Sequence, residues 1–247
     1  MNKTAAAQRS PVILILRPEP GAGESVRRAR ELGLAAHAFP LFAVHALSWI
    51  APPRDTVDAL VLGSANALRH AGPALDAYRG LPAYAVGEKT ARAAQAAGLD
   101  VVVTGHGGLQ TVLGMVDPGH RRLLRLAGRE RVTLSLPAGV TMETREVYAS
   151  QPVPPPEGLL AALEAPCIVL LHSGEAARRF EALCTQREIA RNHVHVVAIA
   201  ARVCEPLAPG WASLDIAAEP SDTALLALAA RMCQDMRSGS TQADNQP

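Results

Sequence analysis

The sequence predicts an α/β protein built on parallel sheets, and three observations carry that prediction. Short apolar runs alternate with Ala- and Arg-rich segments along most of the 247 residues. Hydrophobic residues make up 49% of the chain but aromatic ones only 3%, so its core must be built from Ala, Val and Leu, which suits helices packed on sheets. One strand-to-helix stretch also recurs: Asp58–Arg69 (DALVLGSANALR) resembles Pro166–Arg178 (PCIVLLHSGEAAR).

The runs Val12–Leu16, Ala59–Leu62, Ala83–Val86, Val101–Val103, Leu123–Leu126, Cys167–Leu171 and Val194–Ile199 read as buried strands, apolar on both faces. Between them Gly23–Leu32, Ala65–Ala71, Thr90–Ala97, Glu175–Leu183 and Thr223–Met236 are rich in helix formers and end near Gly, Pro or polar residues. Ser64 and Ser173, the matching serines of the repeat, each fall where a strand enters a helix. Leu81–Val103 is echoed by His193–Ile216, again strand into helix. Arg122–Gly139 matches the opening Pro11–Gly33 rather than anything after residue 216, so the second copy is circularly permuted around the first.

That permutation predicts two domains, the first discontinuous. Residues 1–36 and 154–237 form domain 1 and residues 47–144 domain 2. The extended-looking stretches 37–46 and 145–153 make a two-stranded linker, with four prolines between Pro152 and Pro156 stiffening the second passage. The polar stretch 238–247 is expected to be a frayed tail.

Lys plus Arg total 24 and Asp plus Glu 23, without a long run of either sign, which predicts neither a nucleic-acid partner nor a membrane surface. Nearly all the positive charge is Arg, the side chain that grips carboxylates bidentately; lysine occurs only at Lys3 and Lys89. Cys167, Cys184, Cys204 and Cys233 lie far apart, giving neither a zinc ribbon nor a disulfide framework, and a reducing cytoplasm is the expected location. The apolar run after Met1–Ser10 is too short for a signal-peptide core. No metal is expected, because His193 and His195 lack a carboxylate companion at ligand spacing. Gly105–Gly108 (GHGG) lacks both the Gly-Lys-Ser/Thr ending and the following helix of a phosphate loop, and reads as a flexible turn.

Eight short segments, in order, resemble the uroporphyrinogen-III synthase family: Leu16-Arg17-Pro18, Phe39-Pro40-Leu41, Gly63-Ser64-Ala65-Asn66-Ala67, Ala85-Val86-Gly87-Glu88-Lys89-Thr90, Leu126-Ala127-Gly128-Arg129, Glu146-Val147-Tyr148, His172-Ser173-Gly174 and Ala218-Glu219-Pro220. The resemblance implies two flavodoxin-like domains joined by a β-ladder, a substrate cleft between them, and no metal or organic cofactor. It implies closure of hydroxymethylbilane, a linear tetrapyrrole with eight carboxylates, into uroporphyrinogen III. A monomer is expected, served by the upstream bilane-forming enzyme. The chain departs from the pattern at Ile199-Ala200-Ala201-Arg202-Val203, where a Gly-x-Thr-Thr-type turn is usual; Arg202 then stands in as a carboxylate ligand.

Such a substrate needs many hydrogen-bond donors, and helix N-termini at a sheet's carboxyl edge supply them. The turns at Ser64, at Gly87, Lys89 and Thr90, and at Ser173 fit that role, with helix capping the alternative for each hydroxyl. Tyr148 is the general acid the resemblance suggests, with packing across the linker its alternative. Arg17, Arg125 and Arg129 lie at strand ends, where both carboxylate binding and surface ion pairing are open to them. A non-catalytic protein binding a tetrapyrrole or small anion is the second reading of the whole chain, and a nucleotide- or sugar-binding protein the third.

Overall fold

The computed structural model describes residues 11–243, in which helices alternate with strands that collect into two sheets. The chain runs β1 (Val12–Ile15), α1 (Gly21–Glu31), β2 (Ala36–Ala38), β3 (Phe42–Ala46), β4 (Ala59–Leu62), α2 (Ala65–His70), β5 (Pro82–Val86), α3 (Gly87–Ala96), β6 (Asp100–Gly105), α4 (Leu109–Leu113) and β7 (Arg122–Gly128). It continues through β8 (Thr141–Pro152), α5 (Leu159–Ala162), β9 (Cys167–Leu171), α6 (Gly174–Gln186), β10 (Val194–Ala198), α7 (Ala201–Cys204), β11 (Ser213–Ile216) and α8 (Asp222–Ala243). Contacts group these into two units, one of residues through Ala43 with those from Pro152 onward, the other Val44–Gln151.

The first unit holds a five-stranded sheet in the order β11-β10-β9-β1-β2, every pairing parallel. Its central strand β9 is buried along its whole length because helices cover both faces. On one face Leu14, Val169, Leu171 and Val196 pack against Phe180 and Leu183 of α6; on the other Ile13, Ile15, Ile168 and Leu170 meet Val26 of α1 and Leu225 and Ala229 of α8. Each such Leu, Ile or Val contributes about 1.5–3 kcal/mol by leaving water.

The second unit holds a six-stranded sheet, β3-β8-β7-β4-β5-β6, in which β8-β7-β4-β5-β6 pair in parallel. Leu60, Leu62, Leu124 and Leu126 pack on Leu68 of α2 and Ala94 of α3, while Val61, Tyr84 and Leu123 meet Leu109, Val112 and Leu113 of α4. Substituting β9, β10, β11, β1 and β2 by β4, β5, β6, β7 and β8 converts one strand order into the other, the permutation the repeated segments suggest.

Several expectations need correction. The counterpart of α1 is missing: after β7 the chain forms an irregular loop through residues 129–140, where β-branched Val132 and Thr133 and then Pro137 oppose a helix. The GHGG stretch leads into α4, whose 5 residues are short for the helix of a phosphate loop. Of the stretches 37–46 and 145–153, expected as a two-stranded linker, β3 and β8 are neighbours in the sheet order, while Ala36–Ala38 pairs with β1 and β8 also runs alongside β7. Finally, α8 continues to Ala243, so the first part of the expected tail is helical; residues 244–247, like Met1–Ser10, lie outside the described residues.

Candidate functional site

In each sheet the strands point their carboxyl ends toward turns that begin helices, the arrangement that presents free backbone N–H groups to a ligand. Ser64 and Ser173 occupy equivalent turns with nearly the same extended backbone, φ −157° and −152°. Ser64 Oγ accepts from Asn66 N–H at 3.2 Å, and Ser173 Oγ accepts from Ala176 N–H at 3.1 Å. Both hydroxyls are helix caps, worth about 1 kcal/mol each. The turn at Ala200 has no capping side chain, and the helix behind it, α7, has only 4 residues.

At the carboxyl edge of the five-stranded sheet the charges are spent on one another. Asp222, at the start of α8, accepts from Ser25 Oγ at 2.6 Å, His172 Nε2 at 2.9 Å, Arg28 Nη1 at 3.0 Å and Arg17 Nη1 at 3.4 Å. Burial opposes the ionisation of Asp222, but the hydrogen bonds from His172 and Ser25 and the Arg17 charge hold its carboxyl well below the usual 3.8. Burial pushes the His172 imidazole below its usual 6.5, so it is neutral at pH 7 and donates from Nε2 to the carboxylate. Arg17 is thus engaged with Asp222 and Ser25. Ser173 and Arg202 are exposed. The sequence reading missed Asp222, Ser25, Arg28 and His172 as one cluster.

The carboxyl edge of the six-stranded sheet is organised differently. A pocket of about 230 Å³ there is lined by Gly63, Ser64, Val86, Arg125, Gly128 and Tyr148, among others. Gly87 follows at φ +75°, a left-handed conformation that glycine adopts without strain, and opens α3. Lys89 is exposed in the first turn of α3, whereas Thr90 is only 5% exposed. Tyr148 lies over Gly128: a Cβ at residue 128 would fall 2.7 Å from the phenol ring, so glycine is what lets the ring sit there. The His70 ring lies 6.1 Å away between centroids, tilted by 39°. The structure therefore brings Ser64 and Tyr148 to one pocket, beside the Gly87 turn.

Arg129 is half exposed and pairs with Glu146 at 3.4 Å, and Arg131 pairs with the same carboxylate at 2.6 Å. Arg125 is buried, 7% exposed, and its Nη1 donates to Val132 C=O at 3.0 Å. Burial, and then the neighbouring Arg131 charge, lower its pKa from the usual 12.5.

Among the described residues no group of three or more His, Cys, Asp or Glu is placed to hold a metal ion, and no helix is long and apolar enough to cross a membrane. The four cysteines are unpaired; burial pushes the Cys167 and Cys184 thiols up to about 12, which makes them inert.

A family model described as uroporphyrinogen-III synthase HemD matches residues 23–227. Among solved structures, uroporphyrinogen-III synthetase from Helicobacter pylori 26695 is similar in fold: the TM-score is 0.61 at 18% identity, over 90% of this chain and 99% of that one. A mutant uroporphyrinogen III synthase from the extremely thermophilic bacterium Thermus thermophilus aligns over 92% of this chain and 99% of that one, with 16% identity and a TM-score of 0.48. No curated protein sequence matches significantly. With the family model covering most of its length, the chain belongs to the uroporphyrinogen-III synthase family.

Proposed function

We propose that the chain is a uroporphyrinogen-III synthase, a lyase that cyclises hydroxymethylbilane with loss of water and inversion of the last pyrrole ring. The observation that carries this reading is the pocket at the carboxyl edge of the six-stranded sheet, where Tyr148 and the Ser64 turn meet. The site is assigned to Tyr148 as general acid, with Ser64, Gly87, Lys89, Thr90 and Arg129 of the second unit and Arg17, Ser173 and Arg202 of the first as substrate-binding residues. Arg17 serves only if a substrate carboxylate competes with Asp222 for it.

The chemistry asks little of the protein beyond positioning. The hydroxymethyl C–O bond breaks as the oxygen takes the Tyr148 phenol proton and leaves as water, and the pyrrole nitrogen stabilises the resulting azafulvenium cation. The substituted carbon of the last ring attacks that cation to give a spiro intermediate. Fragmentation and reclosure invert the ring, and the proton lost when the pyrrole rearomatises restores the phenol. No cofactor enters these steps. The reading extends to a cytoplasmic monomer that receives its unstable substrate from the upstream bilane-forming enzyme.

The test is to give the purified chain freshly generated hydroxymethylbilane, follow its consumption, oxidise the products and separate uroporphyrin I from III. Mostly type III, formed faster than in a protein-free control, is expected. Only type I at the control rate would sink the catalytic reading. It would favour a binding protein, for which the uncapped Ala200 turn already speaks.

A further inference from the structure

Strand register gives Arg125 an unexpected place. Arg125 pairs with Val61, three residues before the Ser64 cap; in the other unit Ile15 pairs with Leu170, three residues before the Ser173 cap. Arg125 therefore holds the position of Ile15, a fully buried core residue covered by α1. A chain that needed only a core there would keep an aliphatic side chain. This chain instead spends a buried guanidinium, in the one place where the covering helix has been replaced by the 129–140 loop.

Removing such a charge from bulk water is unfavourable unless something compensates it. Among the described residues no carboxylate does so: Glu146 is taken by Arg129 and Arg131, Glu130 lines the pocket without pairing to Arg125, and the bond to Val132 C=O satisfies one nitrogen while Nε and Nη2 remain open to the pocket. An arginine forks to two carboxylate oxygens at once, and here its group lines the pocket that holds Ser64 and Tyr148.

We propose that Arg125 is the receptor for one carboxylate of the ligand in this pocket, making it a substrate-binding residue that selects for an acidic side chain on the pyrrole lying beside Tyr148. The proposal rests on the synthase reading for the identity of that ligand, but not for its charge. Uroporphyrin III, the oxidised eight-carboxylate product, is the probe. Fluorescence titration of the full chain should show R125M binding it on the order of tenfold or more weakly than the native chain. Arg125→Lys, which keeps a charge without the fork, should fall between the two. In turnover, KM for hydroxymethylbilane should rise by a similar factor while kcat stays within about threefold, a split that mere anchoring of the 129–140 loop would not produce.

Replacing a buried charge by Met is commonly tolerated; were R125M not to fold, Arg125→Lys alone decides, by weaker or unchanged binding. Native-like binding by the folded variants overturns the proposal whatever isomer the native chain makes. A native chain that yields only type I, yet loses uroporphyrin binding on substitution of Arg125, overturns the synthase reading and leaves the carboxylate site standing.

Discussion

Each sheet carries one aspartate that gathers arginine, and the two aspartates stand at opposite edges. In the six-stranded sheet it is Asp58, just before β4 at the amino edge, which takes Arg122 at 2.6 Å and the backbone N–H groups of Arg121 and Arg122 at 2.9 and 2.7 Å. In the five-stranded sheet it is Asp222, at the carboxyl edge, holding Arg17 and Arg28. The carboxyl edge is where parallel sheets bind ligands. The six-stranded sheet, with its clamp at the far end, leaves that edge to Tyr148, the Gly87 turn, the Arg129 and Arg131 pairing with Glu146, and Arg125, which meets no carboxylate among the described residues. The five-stranded sheet has tied the charges at its own edge into one network, with two arginines on one aspartate. On the proposed reading the two copies differ in emphasis, one tying most of its edge charges to one another while the other leaves more of its edge open to substrate.

The largest effect expected from breaking this division is in the closed edge. Asp222→Ala strands the His172, Ser25 and Arg17 donors around a buried gap, and urea denaturation should register a loss of about 3 kcal/mol or more. The same group sets an acid limit. Because the native carboxyl titrates below 3.8, its contribution is fully present above that value and is lost as pH falls from 3.8 through the lowered native pKa. Asp58, which the Arg122 hydrogen bond lowers to about 2, acts in the other sheet with the same sign, between 3.8 and about 2. Asp222→Asn should flatten the acid side of the stability profile without removing the part due to Asp58.

At the open edge the effect should appear in rate rather than stability. Tyr148→Phe removes only the phenol oxygen and should lower kcat about 100-fold with the melting temperature nearly unchanged, if the proton comes from this group. An unaltered kcat would reduce Tyr148 to packing. Gly128→Ala pushes a methyl to within 2.7 Å of that ring and should cost about 1–3 kcal/mol as well as activity, measured as melting temperature alongside turnover. The smallest effects are the caps. Ser64→Ala and Ser173→Ala should each cost about 1 kcal/mol, and both should raise KM, Ser64→Ala the more because Ser64 lines the pocket.

Local patterns made much of the fold legible. β4 and β9 are continuous apolar runs, and their buried four- and five-residue strands have the expected limits, Ala59–Leu62 and Cys167–Leu171. The Ser64 and Ser173 turns were visible as a repeat because a cap is set by neighbours two or three residues away. β11 was not, since an edge strand half open to water shows only Leu214 and Ile216 as apolar, both exposed. Nor was the Asp222 network: Arg17 and Asp222 are 205 positions apart, and only the sheet order brings them together. Arg125 looked like any strand arginine until its register with Val61 and the missing counterpart of α1 gave it a core position.

The most direct measurement is hydrogen exchange of the full chain with and without uroporphyrin III. Slower exchange is expected at the amides of residues 63–66 and 86–90 and in the loop after Gly128. Unchanged exchange in all three stretches, with the porphyrin bound, would contradict the claim that the open carboxyl edge of the six-stranded sheet receives the tetrapyrrole.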